Sequence, residues 1–443
     1  MRELRISQCM IVKNEEKNIE RALSWGKKIM WEQIVVDTGS SDRTVELAKE
    51  LGARVYHFDW VDDFSAAKNF ALQQAKGDWI VFLDADEYIL TENTEKLRQV
   101  LMDIERKKAP YLALCSNWLN LNDEGQVFNA TAQIRIFRNG SGIHYVGRVH
   151  EQLEKGNRAL GDSELLDAGE ALSIYHTGYT EEAYADTGKL QRDERLLLKE
   201  ISEQPDNFDL MGYLGDIYRA ADDYEQAIEW YEKAVQSYLA SGIGPVPYFD
   251  RLSWTFSYLL ELLFQTEKGA ERMVDTYGQA IHAIPKECDF DYIMGRFFLS
   301  RQDWENAVFH LEQALSILEK NGNMYYGAML VPNLMSTWEY LAIACFNSKK
   351  KEKCVNVCVT YLKENRMAMG ILKVLLTAFK SEAPGAKEAE QILGFLGNLY
   401  DLSVLKERLF VLKAAKEIAY EGLEQVLWGL FSPQEQAALK GRV

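Results

Sequence analysis

The sequence predicts an α/β domain over residues 1–183, built on a mixed and largely parallel sheet, followed by an all-α domain of helical repeats over 184–443. Three observations predict this. Strand-like and helix-like patterns alternate four times in about the first 85 residues, the signature of a doubly wound parallel sheet. The run Trp79-Ile-Val-Phe-Leu-Asp-Ala-Asp-Glu87 passes from five unbroken apolar residues into three acids. A strand buried on both faces delivers polar groups to its C-terminal end in this way. From about Glu181 onward, every segment reads as helix.

The first strand is Ile6 to Val12. Asn14 can cap the helix after it, with Glu15 and Glu16 favourable in the first turn. That helix buries Ile19, Ala22, Leu23 and Trp25. Ile34 to Val36 is a second strand, ending in Asp37-Thr-Gly-Ser-Ser-Asp-Arg-Thr44. Ser41 or Asp42 can cap the next helix, and Gly52 closes it. Arg54 to Phe58 is the third strand. A helix begins at Asp63 and stops at Lys76-Gly77, and Trp79 opens the fourth strand. Strand ends line one crevice in this topology, so Asn14, Asp37 and Asp84 should face the same cleft. Asp84 and Asp86 would share one side of an extended segment, whose side-chain period is two. No cation stands beside them in the sequence. Mg²⁺ or Mn²⁺, held by carboxylates and substrate phosphates, would supply the missing charge. The plain alternative is a pair of solvated loop acids.

Past Glu87 the pattern becomes mixed or antiparallel. A helix around Thr94 to Glu105 precedes strand-like runs at Tyr111–Asn117, Ala132–Phe137, Tyr145–Leu153 and Ala171–Tyr175. Asn139-Gly140 is a hairpin-type signal. His144, His150 and His176, three of the six histidines, lie here.

Composition bounds the function. A net charge of −17 argues against general nucleic-acid binding and against a polybasic membrane patch. There is no apolar run of about 18 residues, so no spanning helix is expected, and the N-terminus has no secretory pattern. The six cysteines form no CxxC pair and read as core thiols in a reducing cytoplasm. No G-x-G-x-x-G follows the first strand and there is no Walker loop, which counts against a dinucleotide dehydrogenase and a P-loop enzyme.

The helical half repeats. Gly215, Tyr218, Tyr224, Ala227, Tyr231 and Ala234 hold the small and aromatic positions of a tetratricopeptide repeat. Gly295, Phe298, Trp304, Ala307, Leu311 and Ala314 hold them again. A degenerate copy ends at Tyr277, Ala280 and Pro285, and another runs from Leu341 through Cys354. Such arrays present concave binding surfaces. Gly242 to Pro247 reads as an interrupting loop, and the apolar stretch from Leu423 to Phe431 as a surface for a homodimer.

Met10-Ile-Val-Lys-Asn-Glu-Glu16, Val36-Asp-Thr-Gly-Ser-Ser-Asp-Arg-Thr44, Asp63-Phe-Ser-Ala-Ala-Lys-Asn69 and Phe82-Leu-Asp-Ala-Asp-Glu87 stand in order. Together they resemble the family-2 glycosyltransferases. The resemblance implies an N-terminal GT-A domain, a Rossmann-like mixed sheet, ahead of the tetratricopeptide-like domain. The coupling to repeats resembles the sublancin-type S-glycosyltransferases, which attach a sugar to a cysteine of a bacteriocin peptide. Val149-His-Glu151 and His176-Thr-Gly-Tyr179 resemble patterns of lipopolysaccharide-core glucosyltransferases.

The resemblance implies roles. Asn14, Glu15 and the loop through Asp37, Gly39 and Ser40 would hold the uracil and ribose of a UDP-sugar. Lys68 and Asn69 would flank the nucleotide, with Ala85 beside it. Asp84 and Asp86 would bind the Mg²⁺ or Mn²⁺ ion. His176 is either a further ligand or a hydrogen-bonded core histidine. Glu151 is the candidate base for an inverting transfer and His150 its rival; Glu151 can instead pair with Arg148 or Arg135. The acceptor is a peptide or protein side chain (Ser, Thr or Cys), or alternatively a cell-envelope saccharide or lipid-linked sugar. A reading of another class is an inactive repeat scaffold.

Overall fold

The computed structural model describes residues 3–169, 172–177, 187–246, 251–266, 269–322, 327–380 and 386–439. The expected junction at 183/184 and the Gly178-Tyr179 end of the His176 pattern lie outside them. The chain divides into two compact units, Met1–Pro205 and Asp206–Val443.

In the first unit β1 (Ile6–Val12), β2 (Glu32–Asp37), β3 (Arg54–His57) and β4 (Trp79–Phe82) pair in parallel in the order β3-β2-β1-β4. β4 is buried along its whole length, as its apolar run requires. Gly77 lets it start against β1, because a Cβ there would stand 2.8 Å from the Ser7 backbone nitrogen. The connecting helices are α1 (Ile19–Ser24), α2 (Thr44–Glu50) and α3 (Phe64–Gln74). Asp63 caps α3, accepting a hydrogen bond from the Ala66 N–H. Asp42 accepts from the Thr44 N–H at the start of α2.

Asn14 does not cap a helix. Its φ is +59°, and α1 begins only at Ile19. Its side-chain oxygen accepts from the Ser41 N–H, and its own N–H donates to Ser40 Oγ. The loop after β1 is thereby clipped to the loop after β2.

β5 (Glu87–Ile89) and α4 (Thr91–Lys107) follow, then β6 (Ala113–Leu121), β7 (Val127–Arg138), β8 (Ile143–Val146), β9 (Gln152–Lys155), β10 (Leu165–Asp167) and β11 (Ser173–His176). β7 runs antiparallel between β4 and β6, β11 runs parallel to β6, and β5 forms the far edge against β11. Only Leu83 to Asp86 connect β4 to β5, although β7, β6 and β11 lie between them in the sheet.

Two expectations are corrected. The run Tyr145–Leu153 is not one strand but the hairpin β8–β9, broken where Gly147 (φ +94°) and His150 (φ +52°) turn the chain. Asn139-Gly140 does not close a hairpin, because β8 pairs with β9 and not with β7. The Asn139 amide instead donates to the carbonyls of Ala75 and Gly77. α5 (Thr187–Glu203) completes the unit.

The second unit is helical throughout its described residues. It opens with α6 (Phe208–Ala220), α7 (Tyr224–Ser241), α8 (Arg251–Gln265), α9 (Ala270–Ala283), α10 (Cys288–Ser300) and α11 (Trp304–Asn321). α12 (Leu334–Asn347), α13 (Lys351–Glu364), α14 (Met369–Phe379), α15 (Ala386–Leu396), α16 (Leu405–Glu417), α17 (Glu421–Gly429) and α18 (Pro433–Leu439) follow. The repeat glycines have a steric reason. A Cβ on Gly215 would lie 2.5 Å from the Tyr231 ring, and one on Gly295 would lie 2.6 Å from Leu311. One turn recurs four times: Asp222, Gln302, Lys349 and Ala419 all have positive φ. Each directly precedes the capping position of the next helix, at Asp223, Asp303, Lys350 and Tyr420.

Leu423, Leu427 and Phe431, offered by the sequence as a pairing surface, are buried in this unit's own core. The six cysteines are free, and all but Cys115 are buried. No described helix is long and apolar enough to cross a membrane.

Candidate active site

The chain reverses its direction of travel across the sheet at β1: it goes outward to β2 and β3, then returns to β4 on β1's other side. Ligands of open α/β sheets bind beyond the C-terminal strand ends at such a point. Asn14 and Glu15 lie after β1, Asp37 ends β2, and Asp84 to Asp86 follow β4. Asp37 is buried, and its two oxygens accept the N–H groups of Ser40 and Gly39. Gly39 has φ +109°, which suits it to this tight turn. The Glu15 carboxyl is pushed above its ordinary range by burial first and also by the charges of Asp86 and Asp84, while its bond from Asn18 pulls the other way.

The two acids after β4 do not share a side. β4 ends at Phe82 and residues 85–86 are a turn, so the period-two rule does not extend to them. Asp84 turns inward between two cations that the local sequence did not reveal. Its Oδ1 lies 3.4 Å from Lys68 Nζ, and its Oδ2 accepts from Arg135 Nη2 at 3.1 Å. Burial raises the Asp84 carboxyl, but Lys68 and Arg135 outweigh it and hold the group down at about 2. Arg135 also donates to Glu87 Oε1 at 2.5 Å. Glu87 is buried, with Oε1 accepting from Trp118 Nε1 and Oε2 from the Asp84 N–H. Burial pushes its carboxyl upward against the pull of Arg135.

Asp86 faces the other way. Its Oδ2 stands 3.2 Å from His176 Nε2 at the end of β11. His176 Nδ1 lies 2.8 Å from Asn120 Oδ1, and the ring stacks on Trp118 with centroids 4.4 Å apart. With Nδ1 donating to Asn120, Nε2 is either a second N–H donor to Asp86, in a ring that carries both protons, or a lone pair free for a cation. One oxygen and one imidazole nitrogen suit a divalent ion that takes its other ligands from phosphates and water, and the nitrogen favours Mn²⁺ over Mg²⁺. Asp84 does not join them. The one described trio of His, Cys, Asp or Glu ligand atoms all within 4.8 Å of one another is Glu287, Cys288 and Asp289. Those carboxylates accept backbone N–H groups of Asp289, Gly327, Met329 and Leu330.

Residues 7–107 match glycosyl transferase family 2, and residues 210–239 match the tetratricopeptide repeat. The N-terminal unit carries a family-2 glycosyltransferase domain. A TPR repeat-containing protein of Synechococcus elongatus is 31% identical over 62% of this chain and 66% of its own length. The SPbeta prophage-derived glycosyltransferase SunS of Bacillus subtilis is 28% identical over 52% of this chain and 53% of its own. The chain thus spans between half and two thirds of these relatives. The glucosyl-3-phosphoglycerate synthase of Mycobacterium tuberculosis, solved with Mn²⁺ and uridine diphosphate, is 25% identical over 26% of this chain and 44% of that one. Its TM-score of 0.23 is too low to bear on the site.

Within the family-2 domain, the residues expected at the nucleotide fall into two groups. Asn14, Glu15, Gly39, Ser40, Asp84 and Ala85 lie in the loops after the strands and Asp37 ends β2, but the Asp84 carboxylate is taken up by Lys68 and Arg135. Lys68 and Asn69 are engaged inside the protein. Lys68 is 3% exposed and touches both Asp84 and Glu151. The Asn69 side chain bonds the backbone N–H and carbonyl of Tyr145. Glu151 therefore pairs with Lys68, and not with Arg148 or Arg135. His150 is exposed at the β8–β9 turn. Trp118 and Asn120 were not foreseen at the site, nor was the pairing of Arg135 with Asp84 and Glu87. Arg135 had one available signal: it is a lone cation inside the apolar run Ile134-Arg-Ile-Phe137.

Proposed function

We propose that the chain is a metal-dependent inverting glycosyltransferase, moving a hexose or N-acetylhexosamine from a UDP-sugar to a peptide or protein side chain. The observation that carries this reading is the Asp86–His176 pair, with Asp86 in the loop after β4 inside the family-2 match and His176 at the end of β11 beyond it, beside the acids that follow β1 and β4. Asp86 and His176 would hold Mn²⁺ or Mg²⁺, and Asn120 and Trp118 fix the imidazole for that task. A bound divalent ion would offset the negative charge that grows on the departing diphosphate.

Asn14, Glu15 and the Asp37 loop would seat the nucleoside. The acceptor oxygen or sulfur attacks the anomeric carbon, its proton passes to Glu151, and the C–O bond electrons leave with UDP. Glu151 is preferred to His150 because one ammonium joins it to Asp84, on the donor side. The repeat unit would recruit the acceptor, in keeping with its tetratricopeptide match.

A thermal-shift series with UDP, with and without Mn²⁺, tests the donor site, since a ligand that binds only the folded state raises the melting point. The expected result is a UDP shift that requires Mn²⁺ and is lost in Asp86→Ala. Absence of a shift with any nucleoside diphosphate would sink the reading.

A further inference from the structure

We propose that Lys68 is a positioning residue of the cleft, whose one buried ammonium ties the donor-side acid Asp84 to the acceptor-side acid Glu151. The inference rests on the role given above to Glu151.

Lys68 projects from α3 and has almost no water access itself. Its Nζ touches Glu151 Oε1, lies 3.4 Å from Asp84 Oδ1, and stands 5.4 Å and 5.3 Å from the ring centroids of Phe82 and Tyr145. A buried ammonium is tolerated only when its charge is met, so both carboxylates are drawn to one point. Burial pulls the Lys68 pKa down, and the charges of Asp84 and Glu151 more than reverse this, keeping the group protonated. A compact ammonium with three donors can serve two carboxylates from different directions.

The same face of α3 shapes the turn that carries Glu151. The Phe64 N–H donates to the Arg148 carbonyl, and Ser65 Oγ donates to the Gly147 carbonyl. Asn69 clasps both backbone groups of Tyr145. Four residues in the Asp63–Asn69 motif thus act on the β8–β9 hairpin: Phe64 and Ser65 hold the backbone of its turn, Asn69 holds β8 just before it, and Lys68 meets the carboxylate just after it. The motif acts as a template for the acceptor side of the cleft, not as a nucleotide cradle.

The test uses the full chain with Mn²⁺ and measures UDP release from UDP-glucose and UDP-N-acetylglucosamine in water. Lys68→Met is expected to lower kcat by about 10- to 100-fold while KM for the donor moves less than about threefold, as for a misplaced reacting group. The Lys68→Met/Glu151→Gln double variant is expected to lose no more than Glu151→Gln alone, because the lysine acts through the glutamate. Additive losses, or an unchanged kcat in Lys68→Met, would overturn the proposal. Full activity in Glu151→Gln would instead sink Glu151 as the base and leave the pairing to be judged by stability. That second measurement also serves if Lys68→Met does not fold. Glu151→Gln should lower the melting point by several degrees, since Lys68 loses an anionic partner, and an unchanged melting point rules the tie out.

Discussion

Arg135→Met removes the one cation that reaches both Glu87 and Asp84, and its effect can be sized from the contacts. Taking one partner from a buried ion pair costs about 3–5 kcal/mol, because the other charge is left uncompensated. Two features reduce that figure here. Glu87 keeps its bonds from Trp118 Nε1 and the Asp84 N–H. Asp84 keeps Lys68, and a third of its side chain is exposed, so its share is small. A loss of about 2–4 kcal/mol at pH 8 is expected. The sign of the pH dependence follows from Glu87. Burial already raises its folded pKa, with Arg135 opposing, so the variant raises it further. The variant's folded state then holds a proton where the unfolded chain has none, and its stability falls relative to wild type as pH rises. Asp84 does not distinguish the two pH values: held down at about 2, it is ionised at both pH 5 and pH 8, and its share of the loss is the same at each. Urea unfolding at pH 5 and pH 8, with hydrogen exchange of the β6 and β7 amides to isolate this unit, measures the difference. A loss below about 1 kcal/mol at pH 8, or an equal loss at both pH values, would refute the reasoning.

Two further predictions concern the helical unit. Gly215→Ala should destabilise by about 1–2 kcal/mol, because overpacking against the buried Tyr231 ring, pinned by its bond to Asp216, exceeds the gain in helix propensity. Gly278→Ala, where a Cβ meets nothing within 4 Å, should stabilise by about 0.5–1 kcal/mol, and denaturant melts of the two variants read the opposite signs. Burial and the neighbouring Asp289 push Glu287 up to about 8. The folded state therefore binds the extra proton, and stability should decline as pH rises from about 4 toward 8. Glu287→Gln should flatten that decline in melting curves taken across this range.

The four parallel strands were legible because their apolar runs are local. Ile6–Val12 needs only its own residues to declare itself, and Trp79 to Phe82 likewise. The Asp84–Asp86 pair was visible for the same reason. Its electrostatics were not, because the partners arrive from a distance: Lys68 from α3 and Arg135 from β7. The Asn120–His176 contact depends on the β6–β11 register, which places those two residues side by side. Nothing in the neighbourhood of either residue encodes that register. The hairpin at Tyr145 was misread as one strand because Gly147 and the positive φ of His150 act on backbone geometry that hydrophobic pattern does not register.

The short link from β4 to β5 has a geometric consequence. Five Cα steps, from Phe82 to Glu87, can span at most about 17–18 Å. Four strand spacings in a flat sheet would need about 19 Å, and a link containing a turn falls well short of that. The sheet must therefore curl enough to bring the start of β5 within that reach of the end of β4, with Leu83 to Asp86 as the buckle. The spacing of the two acids is thus fixed by circumference as well as by chemistry. One residue removed from this link would tighten the buckle further and pull against the pairing of Glu87 with His176.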